Sequence, residues 1–406
     1  MIQLYKMAFR DLGRNRRRSF FSSLALAIGV ALLLLMAAFI AGELRNSMDA
    51  SIKLESGDLQ VRSKTYDENK NSLAWEDLVE NPDQVAAQIA SLTQVQVATP
   101  RLYASGIMAT GDNSLGVSIF GINPASTANA PFQNGMISGQ FLTADDSEGI
   151  VIGQPLADKL GLNTGDKVNL LINTSNGDVD QQAFIIRGIY TTHTPGFDQS
   201  TIFMPLAKAQ AITQTQKHAT IVFVLLKDRD LSGTVAKALS TTQYQVVTWE
   251  QTNTLLLEFN QFSRDYMALL YLIILGITAT VIINTLIMSV FERTREIGIL
   301  AAIGMKSSSI MGMFFAESSL LAVGGIVMGL ALGGVLVGLA AKYGFYVGNL
   351  GITGFALGDR IYAYLVPGDA ITLTIVAFII TLLAGLYPAI LAARMEPVEA
   401  LRGGKK

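Results

Sequence analysis

Residues 266–291 read YMALLYLIILGITATVIINTLIMSVF, a run of 26 residues without Asp, Glu, Lys or Arg. A helix rises about 1.5 Å per residue, so about 20 mostly apolar residues cross the hydrocarbon core of a bilayer. Three further windows of 24 uncharged residues meet the same test, and they lie between Arg18 and Glu43, Glu317 and Lys342, and Asp369 and Arg394. The sequence therefore predicts a membrane α-helical protein with four transmembrane helices, at residues 19–42, 266–291, 313–341 and 370–393.

The composition favours the same class. Of the 406 residues 50% are hydrophobic and 15% are charged, against about 25% charged in average soluble domains. The mean hydropathy is +0.40. A net charge of −2 gives no support for a nucleic-acid partner. The chain has no cysteine, which excludes a disulfide framework and a cysteine-based metal or redox site.

The first apolar window has two readings, because four arginines precede it: Arg14, Arg16, Arg17 and Arg18. A secretory signal has such a basic start, but its apolar region runs only about 7–15 residues. Here the apolar run continues through residues 37–41. We therefore expect a retained membrane anchor.

The basic residues near the ends of the windows predict the orientation, since cytoplasmic loops carry an excess of Lys and Arg. They cluster in the N-terminal segment, after the second window and at the C-terminus. We expect both termini to be cytoplasmic. The predicted segments outside the spans are a basic amphipathic segment at 1–18, an extracytoplasmic domain at 43–265, a cytoplasmic segment at 292–312, an extracytoplasmic loop at 342–369 and a cytoplasmic tail at 394–406.

The region 43–265 is long enough for one or two compact domains and mixes short strands with short helices. Alternating or β-branched runs predict strands near 57–62, 95–97, 116–122, 148–153, 168–172, 184–190, 202–204 and 221–226. Helices are expected near 85–92, 154–161 and 206–213, and the segment Thr194 to Asp198 is expected to be a loop. The predicted fold class is four transmembrane helices with a large α+β extracytoplasmic domain inserted between helices 1 and 2.

No motif predicts catalysis or metal binding. The two histidines, His193 and His218, are not in metal-ligand spacing, and we interpret them as exposed or capping side chains. The string Gly-x-x-x-x-Gly-Lys-Ser/Thr does not occur, so the sequence contains no P-loop. We predict no catalytic residue, no metal site and no enzyme activity in this chain.

The most informative segment follows the second span: Glu292-Arg293-Thr294-Arg295-Glu296-Ile297-Gly298-Ile299-Leu300-Ala301-Ala302-Ile303-Gly304-Met305. Its charges precede a helical pattern of small and apolar residues. Such a helix could dock into a groove of a cytoplasmic partner, or it could lie on the lipid headgroups. The sequence pattern leaves both readings open.

The third span carries glycines in Gly-x-x-x-Gly spacing, at Gly325 and Gly329 and again at Gly334 and Gly338. This spacing predicts close helix contacts, within the chain or across a dimer. Glu317, near the cytoplasmic end of the span, is a functional-site candidate by its depth. A structural salt bridge or a carboxylate that snorkels to the interface explains it at least as well.

The order of the segments resembles that of the macrolide-exporter, lipoprotein-releasing and FtsX permeases, a mechanotransmission type of ABC membrane subunit. Residues 292–305 resemble the coupling segment of this family. Residues 392–402, Ala-Ala-Arg-Met-Glu-Pro-Val-Glu-Ala-Leu-Arg, resemble its C-terminal signature. Residues 152–168 resemble a recurring element of its outer domain.

The resemblance implies a permease subunit in a bacterial plasma (inner) membrane. Two permease chains, identical or homologous, would pair with two cytoplasmic ABC ATPase subunits that bind ATP and Mg, so this chain would bind no cofactor. The cargo would be lipidated or amphiphilic: a lipoprotein, lipid, peptide or drug. The residues that the resemblance assigns to the ATPase contact are Glu292, Arg293, Thr294, Arg295, Glu296, Gly298, Ala301, Gly304 and Met305.

Two other functions remain open at this point. One is an FtsX-like signal transducer that activates an extracytoplasmic hydrolase. The other is a membrane-anchored assembly protein without an ATPase partner, against which the coupling-like segment argues.

Overall fold

The computed structural model describes residues 2–14, 16–67, 70, 72–111, 113–240, 243–347 and 359–396. The residues form two compact units. The helical unit comprises Met1–Gly42, Asn260–Phe345 and Tyr362–Lys406, and the sheet unit comprises Glu43–Phe259 and Tyr346–Ile361. Most of the predicted C-terminal signature, from Pro397 onward, lies outside the described residues, as does the middle of the predicted loop 342–369, at residues 348–358.

The helices, in chain order, are α1 Ile2–Arg14, α2 Arg16–Ser51, α3 Pro82–Ala90, α4 Ala130–Asn134, α5 Gln154–Leu160, α6 Pro195–Ser200, α7 Leu206–Ile212, α8 Ser232–Leu239, α9 Trp249–Thr252, α10 Thr254–Glu292, α11 Thr294–Ala302, α12 Ser307–Tyr343 and α13 Pro367–Ala393. A π-helical turn, Ile52–Ser56, continues α2. Short 3-10 turns occupy Trp75–Asp77, Thr127–Asn129 and Arg229–Leu231.

The strands are β1 Leu59–Ser63, β2 Val79–Glu80, β3 Val95–Thr110, β4 Asn113–Ile122, β5 Met136–Gly139, β6 Gly149–Gly153, β7 Lys167–Asn173, β8 Val179–Tyr190, β9 Thr201–Pro205, β10 His218–Ala219, β11 Ile221–Leu226, β12 Tyr244–Thr248, β13 Phe345–Tyr346 and β14 Arg360–Ile361. Each predicted strand has a counterpart among them. The sequence signal at 95–97 marks only the start of β3, which is far longer.

Four helices in the described part of the chain are long and apolar enough to cross a membrane: α2 with its π-turn, α10, α12 and α13. Each contains the predicted window and extends beyond it, because polar residues continue the helix at one or both ends. Their core includes Leu26, Val30 and Leu34 of α2 with Leu321 of α12 and Leu373 of α13. The four helical spans expected from hydropathy are therefore present.

The sheet unit is built on a mixed sheet of ten described strands in the order β12-β1-β11-β3-β4-β9-β6-β8-β5, with β7 paired to β3 and β8. The β4–β9 and β6–β8 pairs are parallel. In β7 buried residues alternate with exposed or half-buried ones, as expected for a strand with one face on the core. Helix α5 has Pro155 in its first turn and is followed by Gly161, whose φ of +66° suits a glycine at a helix end.

The predicted loop at Thr194 to Asp198 is wrong: Pro195–Ser200 forms α6, and Pro195, Phe197 and Asp198 are buried. The Asp198 carboxylate accepts hydrogen bonds from the Thr192 backbone N–H at 2.8 Å and from the Thr192 hydroxyl at 2.6 Å. Burial raises the pKa of Asp198, and the Thr192 and Thr191 donors oppose that shift. The amino-acid composition of the segment indicated a loop. Composition alone does not show that Thr192 donates hydrogen bonds to the Asp198 carboxylate.

Part of the connection between α12 and α13 belongs to the sheet unit. The Asp359 backbone N–H donates to the His193 carbonyl at 2.9 Å, and His193 Nδ1 lies 3.1 Å from Asp359 Oδ2. The expectation of an exposed histidine holds for His193. The expectation of a separate loop at 342–369 omitted this attachment, because no local pattern connects residues 166 positions apart.

Candidate coupling site

Helix α11 lies between the ends of α10 and α12, and a break at Arg293 separates it from α10. Arg293 leaves helical geometry with φ −110° and ψ 13°. The Thr294 hydroxyl donates back to the Val290 and Phe291 carbonyls at 3.1 and 2.9 Å. These bonds add a side-chain donor to carbonyls in the last turn of α10, where the regular helical pattern ends. The hydroxyl therefore fixes the start of α11 on the end of the span.

The other end of α11 is closed by Gly304, whose φ is +92°. The Gly304 N–H donates to the Ala301 carbonyl at 3.1 Å, and the Met305 N–H donates to the Leu300 carbonyl at 3.0 Å. This pair of bonds is a Schellman motif, in which glycine is favoured because the backbone is left-handed. The family resemblance assigned Gly304 to the ATPase contact, which stays a prediction; its geometry gives it a role in ending the helix.

Arg293 is the centre of a buried charge cluster in the helical unit. Its side chain is only 7% exposed, and its Nη2 lies 2.7 Å from Asp11 Oδ2 of α1. Its Nε lies 3.2 Å from Glu296 Oε2 of α11, and its Nη1 lies 3.7 Å from Glu317 Oε2 of α12. A guanidinium can serve several carboxylates at once because its five N–H donors point in fixed, separate directions. Arg293 thus joins three helices.

The contact of Arg293 with an ATPase stays a prediction. In this chain two of its donor groups bond to carboxylates, Nη2 to Asp11 and Nε to Glu296. For Glu317, of the readings that the sequence left open, the salt bridge is the one found.

Two exposed ion pairs attach the N-terminal arginines to the same segment. Arg14 Nη2 lies 2.8 Å from Glu296 Oε1, and Arg18 Nη1 lies 2.7 Å from Glu292 Oε2. The hydrogen bond from Arg14 lowers the pKa of Glu296; burial opposes this shift, and the Arg293 hydrogen bond supports it. Glu296 therefore bridges α1 and Arg293, while Glu292 ties the end of α10 to the start of α2.

The remaining predicted contact residues fall into three groups by burial. Gly298 is buried, and Thr294, Ala301 and Met305 are half-buried. Their neighbour Ile297 packs in a core cluster with Phe314 and Ala389. Glu292, Arg295, Glu296 and Gly304 are exposed. The predicted contact residues include two arginines, Arg293 and Arg295. Arg295 is exposed, and no described residue forms an ion pair with it.

The exposed face of α11 also carries two isoleucines that the sequence analysis did not assign to the contact. Ile299 is 47% exposed and Ile303 is 76% exposed. They are four residues apart, which places them on one helix face. With Arg295 they form what we call the α11 outer face. The signal was present in the sequence as the 3–4 spacing, but spacing does not reveal which stripe faces outward.

The glycines of α12 fall into two groups, according to whether another described residue packs against them. A Cβ added to Gly325 would lie 2.7 Å from Leu26, and one added to Gly329 would lie 2.8 Å from Val30. Gly333, which the sequence analysis did not pair, continues this stripe against Leu34 at 2.9 Å. A Cβ added to Gly334 or Gly338 would meet no described atom within 4 Å. Packing at Gly334 and Gly338 therefore stays a prediction.

A second polar cluster lies in the sheet unit, around the residues that end α2. Asn253 bonds to both Ser51 and Ser56, the latter at 3.0 Å. Arg101, a fully buried residue of β3, donates to the Leu54 carbonyl at 2.7 Å. Arg229 pairs with Asp49 and Asp58, each at 3.0 Å. The end of α2 is thus bonded to three separate parts of the sheet unit. These contacts join residues far apart in the chain, so sequence spacing could not predict them.

Family models match two parts of the chain. The model for the MacB-like periplasmic core domain matches residues 19–242, more than half of the chain. The model for the FtsX-like permease C-terminal region matches residues 268–397. The first match includes α2 and most of the sheet unit, and the second includes α11, α12 and α13.

Curated relatives agree with these matches. The chain is 29% identical over 415 residues to the macrolide export ATP-binding/permease protein MacB of Rhodospirillum rubrum, with 98% of this chain and 59% of that protein covered. It is 23% identical over 329 residues to the lipoprotein-releasing system transmembrane protein LolC of Neisseria meningitidis, with 76% and 78% covered. The corresponding LolE of Haemophilus influenzae is 22% identical over 397 residues, with 94% and 93% covered.

The described spans, the matched sheet domain and the matched C-terminal region support one assignment. This chain is a membrane protein that belongs to the MacB, LolC/LolE and FtsX family of ABC transporter permeases.

Proposed function

We propose that this chain couples ATP hydrolysis in a separate ABC ATPase subunit to movement of its sheet unit, and thereby exports or extracts a lipidated or amphiphilic cargo. The observation that carries the proposal is the α11 outer face. It presents Ile299, Ile303 and Arg295, while Arg293 and Ile297 fix the opposite face to neighbouring helices. Apolar anchors with an adjacent arginine are typical of the energetically dominant part of a protein interface.

The proposed topology places α1, α11 and both termini in the cytoplasm. The sheet unit is then an α+β domain inserted between the first and second spans, on the outer side of a bacterial plasma (inner) membrane. The excess of Lys and Arg around α1 and α11 supports this orientation. In it the α11 outer face is accessible to a cytoplasmic partner.

The division of chemistry follows from the same proposal. ATP and Mg bind to two ATPase subunits, one for each of two permease chains, and this chain is not itself an enzyme and binds no cofactor. The open glycine face of α12, with Gly334 and Gly338, is where a second permease chain of the same or a homologous sequence could approach closely.

A push on α11 has a defined first step in this scheme. Because Arg293 joins α11 to α1 and α12, displacement of α11 would move these helices together rather than bend the segment alone. At the outer end, the bonds from Arg101, Asn253 and Arg229 hold the end of α2 in the sheet unit. Movement of α2 would therefore carry the sheet unit with it.

The cargo class is proposed from the relatives. One is named as lipoprotein-releasing and another as a macrolide exporter, and both substances are amphiphilic. A lipoprotein, lipid, peptide or drug would fit an outer domain that acts on material at the membrane surface.

The test is to replace the apolar anchors by charge, as Ile299→Asp with Ile303→Asp, and to purify the permease gently with its partner chains. We expect a P-loop ATPase to co-purify with the unchanged chain and to be retained at least about 30-fold more weakly by the variant, since central anchors contribute about 2 kcal/mol or more. Ile137→Asp is the matched control, because Ile137 of β5 is 52% exposed in the sheet unit. Equal ATPase recovery by all three chains would contradict the proposed docking face.

The FtsX-like alternative predicts a different result with the same purified complex. Addition of lipoprotein or amphiphilic drug would leave ATP turnover unchanged, and a cell-wall hydrolase would bind the sheet unit. Cargo-stimulated turnover, lost in the Ile299 and Ile303 variant but not in the Ile137 control, would favour transport.

A further inference from the structure

The N-terminal arginines carry more positive charge than the coupling segment neutralises. Arg14 and Arg18 are paired with Glu296 and Glu292, and Asp11 is paired with the buried Arg293. The described residues supply no acidic partner for the exposed cations that remain: Lys6, Arg10, Arg16 and Arg17. Like charges four residues apart on a helix repel each other, so Lys6 and Arg10 leave uncompensated positive charge on α1.

Arg10, Arg16 and Arg17 line two adjoining grooves in the helical unit. The larger has a volume of about 850 Å³ and is lined by Phe9, Arg10, Arg14 and Arg16 from the first two helices, and by Ile299 and Leu300 on its α11 side. Its two carboxylates, Asp11 and Glu296, are those already paired with Arg293 and Arg14. The second, of about 620 Å³, is lined by Arg14, Arg16, Arg17, Arg18 and Glu292. Gly13, Arg14 and Arg16 line both. A Cβ added to Gly13 would meet no atom of the described residues within 4 Å, so the backbone at Gly13 has room for a ligand on the described side.

Exposed aromatic rings accompany the cations. Phe9 is 73% exposed and lies at the larger groove. Phe20 and Phe21, two to three residues beyond the last arginine, are exposed and stack edge to face with centroids 5.8 Å apart. From there an outward apolar stripe of α2 continues through Ile28, Leu32 and Met36. The surface thus changes from cationic to aromatic to aliphatic within the first turns of a membrane-spanning helix.

We propose that the α1–α2 corner, through Arg10, Arg16 and Arg17, binds the headgroup of an anionic phospholipid whose acyl chains follow the outward face of α2. A phosphodiester accepts several hydrogen bonds from guanidinium groups at once. Aromatic side chains favour the headgroup level of the bilayer, and aliphatic ones favour its interior. The order of side chains along α2 therefore matches the order of groups along a phospholipid.

The cationic bias of a cytoplasmic loop explains part of this charge but not its arrangement. That bias requires an excess of Lys and Arg near the span ends, which the paired Arg14 and Arg18 already provide. It does not require open grooves between the remaining cations. A protein partner with an acidic surface is the competing occupant. The favoured ligand is a lipid because the aliphatic stripe continues directly from the cations into the span.

The test is native mass spectrometry of the full-length permease in detergent, titrated with phosphatidylglycerol or phosphatidylcholine. We expect selective retention of phosphatidylglycerol by the unchanged chain. Arg16→Gln with Arg17→Gln should weaken it about 25-fold, since each basic residue near an anionic surface contributes about fivefold. Arg264→Gln with Lys342→Gln is the matched control. It also removes two exposed cations, one in the first half of α10 and one at the C-terminal end of α12. Elution as a single species on size exclusion checks that each variant is folded.

The other outcomes overturn the proposal. Equal phosphatidylglycerol retention by the Arg16 and Arg17 variant and the control would show that the corner is not a lipid site. Complete displacement of the lipid by inorganic phosphate would assign the cations to a free anion. Unchanged lipid retention with loss of a co-purifying protein would make the corner a protein-docking surface. The lipid readout uses the permease alone, so it is independent of the proposed ATPase contact.

Discussion

Two glycine pairs in α12 have the same spacing and different surroundings. Gly325 and Gly329 lie against Leu26 and Val30 of α2, so close that even a methyl group would collide. Gly334 and Gly338, nine residues further along, face open space. The motif predicts that a helix can be approached closely; it does not say which pair the chain itself uses. The difference separates an internal packing stripe from a face available to another chain.

Arg293 and Arg295 differ in their surroundings in the same way as the two glycine pairs do. They are two residues apart in one segment, and the resemblance assigned both to the ATPase. Arg293 is enclosed by Asp11, Glu296 and Glu317, whereas Arg295 is exposed beside Ile299. One arginine therefore positions the segment, and the other is available to a partner.

The largest effect should come from Arg293→Met. It leaves the carboxylates of Asp11 and Glu317 without their counter-charge, and breaking a buried ion pair from one side costs about 3–5 kcal/mol. We expect a marked fall in the apparent melting temperature of the purified permease. Arg295→Met, the matched control, should change stability by less than about 0.5 kcal/mol.

A second change sharpens this prediction. Glu317→Gln in the Arg293→Met background should recover part of the loss, because it removes one of the unpaired charges. Similar melting temperatures for the Arg293 and Arg295 variants would refute the positioning role of Arg293.

An intermediate effect is expected from Gly329→Leu. The added side chain must displace Val30 and the Ala27 carbonyl, which lie 2.8 and 2.9 Å from the Cβ position. Overpacking of this kind costs about 1–3 kcal/mol, measured as a fall in the apparent melting temperature of the isolated permease. Gly338→Leu should leave that temperature unchanged and should weaken self-association if this face contacts a second chain. Equal destabilisation by both substitutions would contradict the division of the two glycine pairs.

The smallest effect concerns pH and the exposed Arg14–Glu296 pair. Because the folded pKa of Glu296 is lowered, the pair contributes fully above the ordinary glutamate pKa of about 4.3. The contribution is lost as the pH falls through the lowered folded value. Spin labels on cysteines at positions 9 and 299 would report the separation of α1 from α11, and no native cysteine interferes. We expect the separation of α1 from α11 to increase only at pH values below the ordinary titration range of a glutamate.

Glu296→Gln is the control for the pH experiment. Its label separation should be larger at neutral pH and constant through the range in which Glu296 titrates. A pH response that persists in this variant would come from another group and would refute the role given to Glu296.

Much of the fold could be predicted from the sequence because its signals are local. Hydropathy predicts the four spans, since an uncharged run of this length has few alternatives outside a membrane. Most strands and helices of the sheet unit were indicated near their observed positions, because turn residues such as Gly161 punctuate them. The α6 helix was missed because its stabilising contact, from Thr192 to Asp198, gives no periodic signal.

The candidate site was predicted in position but not in the orientation of its residues. The segment 292–305 was identified by its charges and spacing. Burial of Arg293 depends on Asp11, 282 residues away, and exposure of Ile303 depends on how α11 packs on α12 and α13. Neither can be computed from the segment alone.

The sequence by itself determined the membrane class, the four helices long and apolar enough to span a bilayer, the position of the candidate coupling segment and the resemblance to ABC permeases. These follow from composition and from patterns within about twenty residues. Only the tertiary structure decided which arginine is enclosed, which glycines are packed, and how Arg101, Asn253 and Arg229 hold the end of α2. Those outcomes depend on contacts between residues far apart in the chain, and a side chain's burial is a property of its neighbours rather than of its own type.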